Sequence, residues 1–355
     1  MKTVDYIIVG QGVAGSCMAL KLLENNKSFI VIDDNAHKAS AIAAGIYNPV
    51  VLKRFAIVWN ASYQIQLLKK VFNSFEQLLN QKYLFDFPVY RIFNDENEKK
   101  TWLKKSDRED LHPFLDKDFN QLNSYSTIHQ PLGAGKVNQT GRVDLTNLLP
   151  DFKNYLIENG LCIDESFDYN QLIISENEVE YKGIKAKKII FAEGFNIKHN
   201  PWFKNLPVIG VKGEVLKIKT NADLPNAVVK AKEFLMPLDD SQYFVGATYD
   251  RENVNYEITE SAKENLLNGL KQFLSDDVEV MDHKASIRPT VSDRRPIIGA
   301  HPNFQNLICL NGMGTRGTML APVMVENLFE HLEHNFSLDK EADISRFNHL
   351  LSDEL

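Results

Sequence analysis

Cysteine is scarce: Cys17, Cys162 and Cys309 are the only three in 355 residues, widely spaced and odd in number. That excludes a disulfide framework and a metal site of the C-x-x-C kind, and it suits a reducing cytoplasm. Positive charge is not in excess. Lys and Arg number 40 against 47 Asp and Glu, for a formal net charge of −7, which argues weakly against a protein whose whole surface grips nucleic acid and leaves a local basic groove open for that role. Long apolar runs are missing too: nowhere do ~18 uncharged apolar residues follow one another, so no membrane span is expected. The fairly apolar stretch from Lys2 to Leu23 is broken by Asp5, Gln11 and Lys21 and by patterned glycines, unlike a secretory leader. The nine histidines form no H-E-x-x-H, and no G-x-S-x-G occurs, so neither zinc-protease nor serine-hydrolase chemistry has a motif to rest on.

What is present is an ordinary globular composition, 44% hydrophobic and 10% aromatic, in a chain with no internal repeat or low-complexity tract. Its length fits about two domains. Residues 4–9 (VDYIIV) and 28–32 (SFIVI) read as strands buried on both faces of a parallel sheet, with a helix over 13–26 between them, a β-α-β unit. In 57–84, Trp59, Tyr63, Leu67, Val71, Phe75 and Leu79 recur at i+4, which predicts a long amphipathic helix with that stripe inward. The charge-dense 95–118 reads as exposed helix and loop, and 131–138 as a turn leading into a strand. A helix is expected after Asp144, closed by Asn159-Gly160, and 186–192 (AKKIIFA) reads as another buried strand. From Val208 the texture becomes β, with an antiparallel hairpin expected around Asp239-Asp240-Ser241. A helix over 261–274 follows. From Ala285 the chain returns to glycine-punctuated α/β text and ends in a helix over about 318–333. The fold class expected is α/β: a Rossmann-like doubly wound unit with an inserted antiparallel-sheet α+β unit.

Gly10-Gln11-Gly12-Val13-Ala14-Gly15 is a G-x-G-x-x-G between an expected strand and an expected helix. Gly10 permits the tight turn, Gly12 lets a pyrophosphate approach the backbone, and Gly15 lets helix and strand pack closely. Asp33 ends the second strand, 33 − 10 = 23 positions after the first glycine, where a carboxylate accepts hydrogen bonds from both ribose hydroxyls. This fingerprint fits a nicotinamide cofactor and FAD equally. The run Ser40-Ala41-Ile42-Ala43-Ala44-Gly45-Ile46 has almost no side-chain bulk, as suits backbone lying flat against a large planar ring, although small residues also serve tight helix packing.

Two further blocks lie near the C-terminus: Ser286-Ile287-Arg288-Pro289-Thr290-Val291-Ser292-Asp293, and Asn311-Gly312-Met313-Gly314-Thr315-Arg316-Gly317-Thr318 running on to Pro322. With the first fingerprint, Ala192-Glu193-Gly194, Lys212-Gly213-Glu214, Met236-Pro237 and Val245-Gly246-Ala247-Thr248, they resemble the D-amino-acid oxidase superfamily of FAD enzymes, which includes glycine oxidase and sarcosine oxidase. The resemblance covers essentially the whole chain. Residues 246–250 and 312–322 look particularly like the FAD oxidase half of bifunctional enzymes that mature carboxymethylaminomethyl-uridine in tRNA, whose methyltransferase half has no counterpart here.

The resemblance implies a cofactor site of Gly10, Gly12, Gly15, Asp33, Ser40, Ala44, Gly45, Gly194, Gly312, Gly314, Gly317 and Thr318. It implies a discontinuous FAD-binding domain (1–85, 140–207 and 285–355) and a substrate domain (86–139 and 208–284). FAD is expected to bind non-covalently, because no Cys sits where covalent members attach it. Arg288 matches the arginine of R-P-x-x-x-D that binds the substrate carboxylate; its alternative is a structural ion pair with Asp293 or another acid. Arg316 matches a second arginine near substrate or flavin, or is a surface charge. The sequence departs from many glycine oxidases at Phe234, where they carry a Tyr, and Tyr243, Tyr249 and Tyr47 are candidate replacements. Lys53 and Arg54 either flank the pocket mouth or are a solvated basic pair.

The activity so implied is oxidation of the C–N bond of a carboxylate-bearing amine, with a hydride passing to flavin N5 and the imine then hydrolysed. A cytoplasmic enzyme with a small amine or amino-acid substrate is expected, with tRNA as the alternative partner and a non-catalytic flavoprotein as the bland one. A nicotinamide dehydrogenase would leave the two C-terminal blocks unexplained.

Overall fold

The computed structural model describes residues 2–36, 39–239 and 241–351. Phe29–Ile32, Lys2–Val9, Ile184–Phe191 and Phe304–Asn311 lie side by side and parallel, with the short strand Cys162–Ile163 on the outer edge. Every residue of Phe29–Ile32 is buried, as the unbroken apolar text requires of a strand covered on both faces. Alternation then divides the layers. Tyr6, Ile8, Val31, Ile190 and Leu310 face the helices Val13–Glu24, Ala61–Leu79, Leu145–Glu158 and Gly317–His334. Ile7, Val9, Ile30, Ile32 and Phe191 face an aromatic layer with Phe167, Trp202 and Phe203, near the 3-10 turn Gly194–His199. The long helices thus gather on one face of this sheet.

The expected helix over 57–84 is shorter, Ala61–Leu79, and its inward stripe differs from the one predicted. Trp59 and Tyr63 are 39% and 43% exposed, whereas Ile65, Leu68, Phe72 and Phe75 are buried. A strict four-residue step gains about 40° per step on a helix of 3.6 residues per turn, so the i+4 stripe drifts off the buried face. The charged segment does contain a helix, Glu96–Ser106, capped by Asp95, whose carboxylate accepts the Glu98 N–H at 2.7 Å. Its Trp102 is fully buried.

The second sheet has seven strands in the order Glu279–Val291, Val208–Lys219, Gln242–Gly246, Phe234–Pro237, Val228–Lys230, Val89–Ile92 and Ala134–Val137. The expected hairpin is there, with Leu235 opposite Val245; Asp240 of its turn lies outside the described residues. Pairing is antiparallel except between Val228–Lys230 and Val89–Ile92. Leu216, Ile218, Leu235 and Val245 pack with Leu266 and Leu270 of the helix Glu260–Leu270. Gly213, Val228, Phe234 and Phe244 face the other way, into a cavity. Position 284/285, where the expected domain division falls, lies within the continuous strand Glu279–Val291. No helix among the described residues is long and apolar enough to cross a membrane.

Candidate active site

A cavity of about 780 Å³ runs from the ends of the parallel strands to the open face of the second sheet. At its first end, strand Lys2–Val9 turns at Gly10 with φ +96°, where a Cβ would stand 2.6 Å from the Ala192 carbonyl oxygen. A Cβ on Gly15 would lie 1.9 Å from the Gly10 carbonyl oxygen, so this glycine serves the close helix–strand approach. Gly12 is different: a Cβ there would meet only Ser40 Oγ, at 3.5 Å, and would otherwise occupy the cavity. The helix starts at Val13, with no side chain capping it from Gly12, so its first turn offers N–H groups and a positive dipole end to an anion. The Val13 N–H itself donates to Ser40 Oγ at 3.1 Å.

Asp33 is fixed from two sides. The Gln11 N–H donates to its Oδ2 at 2.7 Å, and Lys153 Nζ reaches its main-chain oxygen at 3.0 Å and its Oδ1 at 3.4 Å. Lys153 also binds Asp164 at 2.6 Å. This end therefore combines open space over Gly12 with an anchored carboxylate on the cavity wall. Ala44, Gly45, Gly194, Gly314, Gly317 and Thr318 line the same cavity; Gly15 and Gly312 do not, and pack behind it. None of the three cysteines lines it, so no thiol stands ready to tether a flavin. The residues present fit FAD: the first turn of the helix behind Gly12 would hold an anionic group, and no cysteine on the wall would attach the flavin.

At the other end, Arg288 leaves strand Glu279–Val291 opposite Val211. Its guanidinium lies over Gly213, where a Cβ would stand 2.1 Å from Nη2 and 2.3 Å from Nη1. Nη1 donates to the carbonyls of Thr248 at 3.2 Å and Lys212 at 3.4 Å. Burial pulls Arg288 below the ordinary guanidinium value. It has no carboxylate partner among the described residues: Asp293 pairs instead with Arg346 Nε at 3.0 Å. Arg316, in the 3-10 turn Gly314–Arg316 ahead of the helix Gly317–His334, also lines the cavity, and burial lowers its pKa too. It is not a surface charge.

Other expectations resolve less simply. Phe234 lines the cavity and stacks on Phe244, ring centroids 5.7 Å apart. Of the three tyrosines considered, only Tyr249 lines the cavity; Tyr47 is buried and donates to Asp86, and Tyr243 is absent from the wall. Lys53 and Arg54 are exposed and off the wall, a solvated pair.

Several groups went unnoticed in the sequence as parts of a site. Gly213 and Thr248 seat Arg288. Lys230 lines the wall, and burial pushes its ammonium down to about 8. Glu193 accepts from Tyr169 Oη at 2.5 Å and Asn200 Nδ2 at 2.9 Å, and burial pushes it up to about 7. A lysine at a strand end carries no local pattern that marks it, and Glu193 stands in the Ala192-Glu193-Gly194 string without a role of its own having been read from it.

The family described as DAO, FAD dependent oxidoreductase, matches residues 5–329. A tRNA 5-methylaminomethyl-2-thiouridine biosynthesis bifunctional protein of Haemophilus ducreyi is 23% identical over 91% of this chain and 55% of its own length, so the chain spans about half of that relative. Glycine oxidase of Pseudomonas aeruginosa is 29% identical over 39% of this chain and 40% of its own. Among solved structures, glycine oxidase from Geobacillus kaustophilus superposes with a TM-score of 0.79 over the whole of both chains at 18% identity. Iminodiacetate oxidase from Chelativorans gives 0.80 over 95% of this chain and 98% of its own, also at 18% identity. The structural likenesses speak for the fold, and the family match covers both the glycine-rich turn and the arginine-bearing strand: the chain belongs to the DAO family of FAD-dependent oxidoreductases.

Proposed function

We propose that this enzyme oxidises the C–N bond of an amine that carries a carboxylate on the carbon losing hydrogen: glycine, an N-substituted glycine or a D-amino acid. The observation that carries this reading is the half-buried Arg288 guanidinium on the cavity wall, bonded to backbone carbonyls through Nη1 and without an ion pair among the described residues. A planar fork fixed along one side offers its free donors to a carboxylate in a single orientation. That orientation holds the substrate's Cα–H in place, which is the chief service a protein renders such a reaction. FAD, when bound, supplies the acceptor for the hydride. Arg316 and the N-terminus of the helix Gly317–His334 add positive potential at this end. The acids on the wall, Asp33, Asp34, Glu165 and Glu193, all come from the ends of the parallel strands, so none competes with substrate at Arg288. No side-chain base is required provided that the amine binds neutral, and the imine product is hydrolysed by water.

The residues proposed for the cofactor are Gly10, Gly12, Asp33, Ser40, Ala44, Gly45, Gly194, Gly314, Gly317 and Thr318 on the wall, with Gly15 and Gly312 shaping it from behind. The proposed division keeps 86–139 and 208–284 as the substrate unit.

A second reading, the same oxidation on a carboxymethylaminomethyl group of tRNA, is favoured by the likeness to the tRNA biosynthesis proteins. The net charge of −7 weighs against it, because RNA binding requires positive charge. Anaerobic flavin bleaching separates the readings. Glycine, sarcosine and D-amino acids are compared with carboxymethylaminomethyl-modified tRNA at low and moderate salt. Reduction by the free amines supports the first reading; salt-sensitive reduction by tRNA alone replaces it with the second. Bleaching by none of them would leave a flavoprotein without this activity.

A further inference from the structure

The cavity wall is divided by charge. Its carboxylates come from the parallel strands, whereas Lys230 and Arg288 come from the second sheet and Arg316 from the turn before the last long helix. Arg288 is accounted for by the substrate carboxylate and Arg316 stands at the proposed flavin end. Lys230 has no role in the reading so far.

Lys230 closes the strand Val228–Lys230 and is opposite Phe234; Phe234 is opposite Gly246, and Gly246 opposite Val215. All lie on one face of the sheet, and Gly213, the seat of Arg288, is two residues from Val215 on that face. With strands about 4.8 Å apart, three strand spacings and two residues along the strand place Lys230 on the order of 15 Å from Gly213, the seat of Arg288. Between them runs an apolar floor made by the stacked Phe234 and Phe244 rings. Lys230 Nζ stands 5.9 Å from the Phe234 ring centroid and donates to the Lys232 carbonyl. It forms no ion pair among the described residues. Its cross-strand neighbour is another cation, Arg91, whose own charge is met by Glu98 at 2.8 Å. Burial depresses the ammonium, and Arg91 adds to this against the pull of Glu233. A cation in such a place is costly until a counter-charge reaches it, and a glycine-like substrate brings only one carboxylate, taken by Arg288.

We infer that the preferred substrate is a dianionic amine, with one carboxylate held by Arg288 and a second anionic group, carboxylate or phosphate, received at the end of an apolar N-substituent by Lys230, on the order of 15 Å from the Arg288 seat. This inference rests on the reading of Arg288 given above. The aromatic floor accommodates the linker, and the separation excludes glycine itself from using both cations.

The test uses the FAD-loaded protein in two measurements. Calorimetry compares octanedioate with octanoate, which needs no turnover. Anaerobic flavin reduction compares N-(carboxypentyl)glycine with N-hexylglycine and with the phosphonate-ended analogue, which tells a carboxylate from a phosphate preference. At pH 7 the expected advantage of the terminal anion is about tenfold or more, the scale of one charge-assisted contact. The advantage falls to about one in Lys230→Met and returns in part in Lys230→Arg. Octanedioate binding no tighter than octanoate, or a Met variant that keeps the preference, overturns the inference. If no N-substituted glycine reduces the flavin, the proposed reaction fails on its own account, while the calorimetric ratio still decides the subsite.

Discussion

Gly213→Ala isolates the seat of Arg288 without touching the arginine. The added Cβ would stand 2.1 Å from Nη2 and 2.3 Å from Cζ and Nη1, whereas comfortable contact needs about 3.5 Å. The guanidinium must therefore retreat by about 1.4 Å at its nearest atom. The obstacle is the far end of a flexible side chain rather than backbone, so the fold yields easily; what is lost is the orientation of the fork. Its bonds to the carbonyls of Thr248 and Lys212 are charge-assisted, each worth about 1.5–3 kcal/mol. A displacement of about 1 Å at a positioning group costs on the order of 100-fold. KM for a carboxylated amine should rise by about 10–100-fold, with flavin reduction slowed, while the bound-FAD spectrum and thermal midpoint stay near wild type. Steady-state kinetics and anaerobic stopped-flow absorbance read both. In an Arg288→Lys background the same change should add little, because a linear ammonium does not fill that space, and the double-mutant cycle measures the difference. Unchanged KM in the single Ala variant would refute the idea that Gly213 orients the guanidinium.

Other expected outcomes follow from neighbouring geometry. Arg288→Lys keeps the charge and loses the fork, so turnover of a carboxylated amine should collapse with a near-normal flavin spectrum; unchanged kinetics in both Lys and Ala variants would make the arginine structural. The purified protein should be yellow and release unmodified FAD on acid denaturation, and Asp33→Ala should weaken FAD retention by about 1.5–3 kcal/mol, measured by fluorescence of released cofactor. Glu193 is raised by burial from 4.5 to about 7, so the folded state holds its proton more tightly than the unfolded chain. Its cost to stability is absent below about pH 4.5, grows towards pH 7 and then levels off. Glu193→Gln should therefore gain in thermal midpoint relative to wild type between pH 5 and pH 8; a difference that does not vary with pH would contradict this.

The parts of the site that were legible in the sequence are those whose requirement is local. A turn with φ +96° at Gly10 and an uncapped helix start at Gly12 need glycine where they stand, and Asp33 follows at the end of the next strand. Arg288 was legible through its own motif. Gly213 and Thr248 stand in strings that carry the resemblance, but their part in seating Arg288 was not legible, because it depends on a partner 75 and 40 positions away, brought close only by strand pairing. The stripe on Ala61–Leu79 misled because a four-residue step is not the helical repeat. Lys53 and Arg54 showed how little a basic pair says about where it points. The gathering of the long helices on one side of the parallel sheet was also invisible, since the aromatic layer opposite is assembled from turns and a short hairpin.

The strands Val208–Lys219 and Glu279–Val291 pair along all twelve residues of the first, and their one irregularity lies between Lys217 and Ile218, away from Arg288. In a pleated sheet a slip of a single residue would turn Arg288 to the opposite face and remove Gly213 from beneath it. Under the proposed reading, substrate choice would rest on a register rather than on a loop. Insertions and deletions in the turns can drift without touching the anchor, whereas one added residue between Gly210 and Gly213 would abolish it at once, so descendants with new substrates should differ in the side chains along the Phe234 floor and share this strand pair unchanged in length.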